Sequence, residues 1–239
     1  MRLDTELARR GLARSRSHAQ SLISAGAVRV DGRVVTRAAQ SVTSTDPIEV
    51  AVDPYVSRAA YKLVGALDDL GLSVAGRALD AGASTGGFTQ VLLERGACEV
   101  TAVDVGTDQL DDTLRTDARV RVWERTNLRD LSLHHVGGSP VDLVVADVSF
   151  ISLTLLVGPL AAVTRPDGRM LVMVKPQFEV GRERLGKGGV VREPGLHRYA
   201  VDQVVQAAAA LGWHSRGTVP SRLPGPAGNQ EFFVLLERA

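Results

Sequence analysis

Cysteine, lysine and long apolar runs are all scarce in this chain of 239 residues, and each scarcity removes a class of explanation. Cys98 is the only cysteine, so an intrachain disulfide is excluded, as is a zinc site built on cysteines. The five histidines, His18, His134, His135, His197 and His214, show no H-E-x-x-H or comparable spacing, and no metal is expected. The pair His134-His135 reads as an exposed loop. No apolar stretch reaches the ~18 residues of a membrane span. The start, Met1-Arg-Leu-Asp-Thr-Glu6, lacks the apolar centre of a signal peptide, so the cytoplasm is the expected compartment. Lysine occurs only as Lys62, Lys175 and Lys187, against twenty-five arginines. Where a fixed positive charge suffices arginine serves, so each lysine marks a place where a compact ammonium able to lose its proton is wanted.

What is present begins with uneven charge. The net charge of +1 conceals a basic N-terminal segment: residues 1–40 hold eight arginines (Arg2, Arg9, Arg10, Arg14, Arg16, Arg29, Arg33, Arg37) against Asp4, Glu6 and Asp31, a net +5, leaving −4 for the rest. A basic arm on an acidic body suggests that one end grips a polyanion. The length allows a core domain plus a small appendage, and an apolar fraction of 44% fits a globular chain.

The stretch Arg77-Ala-Leu-Asp-Ala-Gly-Ala-Ser-Thr-Gly-Gly-Phe88 organises the larger part. Its order predicts a strand, a tight turn and a helix N-terminus, the place where open parallel sheets bind nucleotides. Glycines there allow positive φ and are expected to let the backbone close on a ligand. The spacing Gly82-x-x-x-Gly86-Gly87 is not the G-x-G-x-x-G of dinucleotide enzymes. Asp80 at the strand end would repel a pyrophosphate but suits a ligand with no phosphate and positive charge, such as S-adenosylmethionine. Asp104, about twenty residues on, falls where ribose hydroxyls of an adenosyl group would lie.

In the arm, Leu3, Leu7 and Leu12 are expected to share one face of a first helix. Ser15 is placed to cap a second helix over 16–24, and Gly26 to end it. Alternating valines around Asp31-Gly32 predict a hairpin. Asp53-Pro54-Tyr55 reads as a hinge, giving a domain over 1–52, a linker over 53–56 and a second domain over 57–239. There, Val56, Ala60, Leu63 and Leu67 form the stripe of a helix with Ser57 as its cap; Lys62 sits off the stripe, facing a cleft or solvent. Strands are expected near 99–105, 120–125, 141–147 and 169–175 with helices between, then a helix from about 196 to 211 and final strands near 213–219 and 230–236. The fold class is thus α/β, a Rossmann-like seven-stranded sheet preceded by a small α+β domain. The polar loop 181–189 is too rich in glycine for regular structure; it could close over a substrate or be an idle surface loop.

Asp147 and Lys175 end adjacent strands and should emerge at the same carboxyl edge as Asp80, where ligands bind. Glu231 starts the last strand; if that strand is antiparallel, it too lies at this edge, and Lys62 can join. Two lysines and two acids suit proton removal from a weakly acidic ribose hydroxyl as it attacks an activated methyl group, a partly buried lysine acting as base and a carboxylate orienting it. An ordinary rim salt bridge between Asp147 and Lys175 is the plainer alternative.

Two sets of motifs carry a resemblance. Arg2-Leu-Asp, Ser15-Arg-Ser, Leu22-Ile-Ser-Ala-Gly26 and Val28-Arg-Val-Asp-Gly32 resemble the RNA-binding module named after small-subunit ribosomal protein S-four. Ser57-Arg-Ala-Ala-Tyr-Lys62, Asp80-Ala-Gly-Ala-Ser-Thr-Gly-Gly-Phe-Thr, Ala146-Asp-Val-Ser-Phe-Ile-Ser and Val174-Lys-Pro-Gln-Phe-Glu resemble the FtsJ-like ribose methyltransferases. With the basic arm in front, the chain resembles their TlyA branch, also called haemolysin A, over essentially its whole length. The resemblance implies S-adenosylmethionine-dependent 2′-O-methylation of cytidine in ribosomal RNA, within ribosomal subunits, by a monomer. It maps a catalytic set onto Lys62, Asp147, Lys175 and Glu231, with Glu179 a nearby competitor for the last. Cofactor contacts would fall on Asp80, Gly82, Ser84, Gly86, Gly87, Phe88, Asp104, Asn127 and Asp147, and RNA contacts on Arg2, Arg9, Arg10, Arg14, Arg16, Arg29 and Arg33. Two other classes remain: an assembly factor that binds ribosomal RNA without catalysis, and a pore-forming haemolysin, which would need a membrane segment.

Overall fold

A computed structural model describes every residue except Arg14, Ala25, Val52 and Ala239; the side chain of Ser21 is also outside the description. The predicted RNA contact of Arg14 therefore lies outside the described residues. The chain divides into two compact units, Met1–Pro54 and Tyr55–Ala239.

In the first unit, α1 (Leu3–Arg9) and α2 (Arg16–Ser24) pack with a small antiparallel sheet of β1 (Val28–Val30), β2 (Arg33–Val34) and β3 (Ile48–Val50), in the order β2-β1-β3. Ser15 caps α2 as expected, its Oγ accepting from the His18 amide at 3.1 Å. Asp31 and Gly32 both take positive φ (49° and 73°), the conformation a two-residue hairpin turn requires. Leu3, Leu7, Ala19, Ile23, Val28 and Val30 form the core. Leu12 does not join it: α1 stops at Arg9, three residues earlier, and Leu12 is exposed. β3, which follows Pro47 and pairs with β1, has no counterpart in the expected hairpin.

The second unit contains α3 (Ala59–Asp69), β4 (Gly76–Ala81), α4 (Gly87–Glu94), β5 (Ala97–Val103), a single turn α5 (Asp112–Arg115), β6 (Val120–Trp123), β7 (Val141–Ala146), α6 (Val157–Val163), β8 (Thr164–Val174), α7 (Pro176–Glu179), α8 (Pro194–Ala209), β9 (Trp213–Pro220) and β10 (Phe232–Arg238). Its seven strands run in the order β6-β5-β4-β7-β8-β10-β9. The first five are parallel and β10 is antiparallel to both of its neighbours. β7 is buried on both faces apart from Asp142, as a central parallel strand must be, with helices covering each side.

Three expectations need correction. Between β6 and β7 there is no α-helix, only a 3-10 turn, Leu128–Asp130; Gly137 and Gly138 both take positive φ, which no helix continues, while Leu128, Leu131 and Val136 fill the core in its place. α3 begins at Ala59 rather than Val56, and Ser57 Oγ accepts from the Ala59 amide at 3.2 Å. β8 starts at Thr164, five residues before the expected 169. The loop over 181–189 holds two short 3-10 turns, Arg182–Arg184 and Lys187–Gly189.

Candidate active site

The parallel register places the ends of β4 and β7 side by side, Ala81 opposite Ala146, so the residues that follow them share one edge. There the Asp147 amide donates to the Ala81 carbonyl at 3.0 Å. Gly82, at φ 90°, leaves no room for a side chain: a Cβ would strike the Asp147 carbonyl oxygen. Gly87 is equally constrained, with a Cβ running into Ser57 Oγ. These glycines serve close approach of protein to protein and also face the cavities beside them, Gly82 lining both and Gly87 one. Gly86, at φ 95°, begins α4 in the left-handed region that favours glycine.

Asp104, just past β5, holds the turn open-side out. Its carboxylate accepts from the Ser84 amide at 2.8 Å and the Gly106 amide at 2.7 Å. Beside it lies a cavity of about 430 Å³ lined by polar Ser84, Asp104, Gln109 and Asn127 and by apolar Val105, Leu128, Val148 and Ile151, with Asp147 at its far wall. Asn127 spends its side-chain oxygen on the Arg129 amide, capping the 3-10 turn. A second cavity, about 200 Å³, is lined by Ser57, Gly87, Phe88 and Lys175; the two share Gly82, Ser84, Asp147 and Ser149. Phe88 reaches it from a ring buried against Phe233, centroids 6.1 Å apart.

Asp80 lines neither cavity. Its side chain turns into the core, where Oδ2 accepts from Thr89 Oγ1 at 2.7 Å and Oδ1 has no hydrogen-bond partner among the described residues. Burial, reinforced by the nearby Asp147 charge and only partly offset by the Thr89 bond, raises its carboxyl to about 7.

The four charged residues form two pairs. Lys175 Nζ stands 2.6 Å from Asp147 Oδ1, a contact without hydrogen-bond geometry, and donates a directed bond to Ser149 Oγ at 2.8 Å. Lys62 Nζ donates to Glu231 Oε2 at 2.6 Å, the two side chains 11% and 1% exposed. The antiparallel β10, with Phe232 opposite Val174, puts Glu231 at the Lys175 end of β8 as the sequence expectation required. Lys62 faces inward, not solvent. Glu179 is otherwise engaged: it accepts from Ser152 Oγ at 2.5 Å and the Leu153 amide at 2.9 Å, and burial raises its carboxyl above the usual range.

One residue at the rim escaped notice in the sequence although its motif did not. Phe150 is 91% exposed, holds a positive φ of 66°, and lies on the larger cavity with its ring 5.4 Å from Phe178. A bulky side chain in that backbone region is a strained arrangement, and such strain collects at functional sites.

The described arginines of the first unit are partly used within it. Arg2 and Arg16 bond Asp4, Arg9 and Arg10 bond Glu6, and Arg29 donates to the Gly32 carbonyl. Arg33 is exposed on β2. Among the described residues, no cluster of His, Cys, Asp and Glu could hold a metal, and no helix is long and apolar enough to cross a membrane.

Comparison with known proteins agrees with this architecture. Residues 55–238 match the model of the FtsJ-like methyltransferases, and residues 1–48 match the S4 domain. The chain is 53% identical to the 16S/23S rRNA (cytidine-2′-O)-methyltransferase TlyA of Mycobacterium tuberculosis, over 98% of this chain and 89% of that one. It is 38% identical to Hemolysin A of Brachyspira hyodysenteriae, over 98% of each. A solved structure from Streptococcus thermophilus that carries the name hemolysin superposes with a TM-score of 0.79 at 37% identity, covering all of this chain and 88% of that one. The match over residues 55–238 and the 53% identity over nearly the whole length, in agreement with the seven-stranded sheet, show that the chain belongs to the FtsJ-like methyltransferase family, within its TlyA branch.

Proposed function

We propose that the chain transfers a methyl group from S-adenosylmethionine to the ribose 2′-hydroxyl of cytidine in ribosomal RNA, held as part of a ribosomal subunit. The observation that carries this reading is the shared wall: Asp147 and Ser149 border both cavities, and Lys175 contacts both residues from the smaller one. The curated relatives from Mycobacterium tuberculosis and Campylobacter jejuni carry the same activity in their names.

The larger cavity fits a nucleoside. Its volume lies in the range of small-ligand sites, its apolar walls suit a purine, and Asp104 retains lone pairs for ribose hydroxyls after binding two amides. Carboxylates at both ends would repel phosphate and favour a cation. Ser84, Gly82 and Asn127 complete the walls, while Gly86, Gly87 and Phe88 shape the turn behind them. When bound, S-adenosylmethionine supplies a methyl group on a positively charged sulfur.

Lys175, starting as the neutral amine, would take the proton of the 2′-hydroxyl while that oxygen accepts the methyl group that S-adenosylmethionine would supply. The ammonium so formed is the state that Asp147 stabilises, while Ser149 fixes its direction. Lys62 and Glu231 line neither cavity; they form a buried pair that ties α3 to the start of β10, next to the Lys175 end of β8. In-line placement supplies much of the remaining rate. Phe150 offers an exposed ring on which a base taken out of an RNA stack can lie. The first unit grips RNA backbone through its arginines.

Incubation of ribosomal subunits with isotopically labelled S-adenosylmethionine, followed by mapping of the modified ribose, tests the proposal. Label confined to 2′-O-methylcytidine, in one or both subunits, is expected; no transfer to either subunit, or label on a base, overturns it.

A further inference from the structure

Asp4 and Glu6 are the only acids in the first helix, and both are fully buried in a unit whose surface is basic. Their partners are arginines almost throughout. Asp4 Oδ1 accepts from Arg2 Nε at 3.0 Å and Thr5 Oγ1 at 3.3 Å; Oδ2 accepts from Arg2 Nη2 at 3.0 Å, Arg16 Nε at 3.0 Å and Gln20 Nε2 at 2.8 Å. Glu6 accepts from Arg9 Nε at 2.8 Å, Arg9 Nη2 at 2.6 Å and Arg10 Nε at 2.7 Å. The hydrogen bonds from Arg2 hold Asp4 far below the usual carboxylate range, and those from Arg9 lower Glu6 to about 2.

The arginines divide by exposure. Arg10 is 20% exposed and also donates to the Asp46 and Thr43 carbonyls, so it ties the helix to the loop before β3. Arg2, Arg9 and Arg16 remain 47%, 51% and 56% exposed, and the carboxylates grasp them by Nε and at most one terminal nitrogen. Each planar fork is thereby fixed on its inner side with its outer side open to solvent. Guanidinium donors held in this way lose little freedom when a phosphate arrives, and their spacing is set in advance.

We infer that Asp4 and Glu6 are positioning residues for RNA binding: they hold Arg2, Arg9 and Arg16 in a rigid array that selects folded RNA, whose phosphates have fixed spacing, over flexible single strands. This rests on the proposed gripping of RNA by the first unit. It carries a sign that simple charge does not. Replacing a carboxylate by an amide makes the protein more positive, so electrostatics alone raises affinity for every polyanion. Loss of the array lowers affinity for folded RNA only.

The full chain as wild type, Asp4→Asn, Glu6→Gln and Arg16→Lys is titrated with magnesium-folded ribosomal RNA and with poly(U) of similar length, over a salt series. The amide variants should bind folded RNA about tenfold more weakly, the loss of one oriented guanidinium–phosphate contact, while holding or gaining affinity for poly(U). Arg16→Lys keeps the charge and should lose the same preference; it carries the test if the amide variants do not fold by circular dichroism. Amide variants that bind both RNAs more tightly, or Arg16→Lys with wild-type preference, overturn the inference alone. A wild type that does not bind folded ribosomal RNA overturns the gripping role of the first unit and this inference with it.

Discussion

Buried carboxylates are treated oppositely in the two units. In the first, Asp4 and Glu6 are saturated with donors. In the second, Asp80 Oδ1 and Glu231 Oε1 are buried with no hydrogen-bond partner among the described residues, and Asp147 Oδ1 meets Lys175 Nζ only as an ion pair. Unsatisfied buried oxygens cost stability, and native proteins keep few of them. Saturation fixes a surface in one shape; undersaturation leaves acceptor capacity for a reaction or a ligand. On the proposed function, the difference separates a unit that grips from one that reacts.

The strongest way to break that contrast is Lys175→Ala. Single-turnover methylation should fall about a thousandfold, in the range of a lost general base, while calorimetry shows S-adenosylmethionine affinity within about twofold of wild type. Retained turnover would move the base elsewhere. Glu231→Gln comes next, because it strands the Lys62 ammonium in the interior: denaturant unfolding should show a loss of about 3–5 kcal/mol. The double variant Lys62→Met with Glu231→Leu should recover most of it, and a double variant as unstable as the single one would argue against pairing as the cause.

Asp80 sharpens the comparison through pH. Its carboxyl is raised to about 7 in the folded chain, so between the ordinary aspartate range and about 7 the native state holds a proton that the unfolded state has released. Stability contributed by this group is therefore present in acid and lost as pH rises through that interval. Asp80→Asn should flatten the dependence, gaining about 4 kcal/mol on wild type between pH 4 and pH 8 in urea titrations. An unchanged pH profile would show that Asp80 is ionised throughout. The smallest effect is expected from Phe150→Ala, about tenfold in kcat/KM for RNA with cofactor affinity intact, the worth of one stacked base. A change in cofactor affinity instead would assign the ring to the nucleoside cavity.

Much of the reacting edge was legible because parallel strands deliver their last residues to one side: runs such as Val141–Ala146 identify a buried strand, and Asp147 and Lys175 follow from where such runs stop. The Asp31-Gly32 turn was legible because few residues tolerate its backbone. Lys62 was legible only conditionally, since its joining Glu231 depended on the antiparallel direction of β10, which the pairing with β8 supplies. Asp80 was assigned to the cofactor from its place at a strand end, yet alternation along β4 turns it toward Thr89. Nor could charge counting show that Asp4 and Glu6 lie inside, where they organise the arginines they seemed merely to offset.

The missing side chain at Gly82 couples two tasks. With the exit of β4 resting on the Asp147 carbonyl, the wall of the larger cavity and the backbone that carries the acid beside Lys175 share one seam. On the proposed function, a side chain added at Gly82 would therefore disturb the cofactor chamber and the base in one stroke.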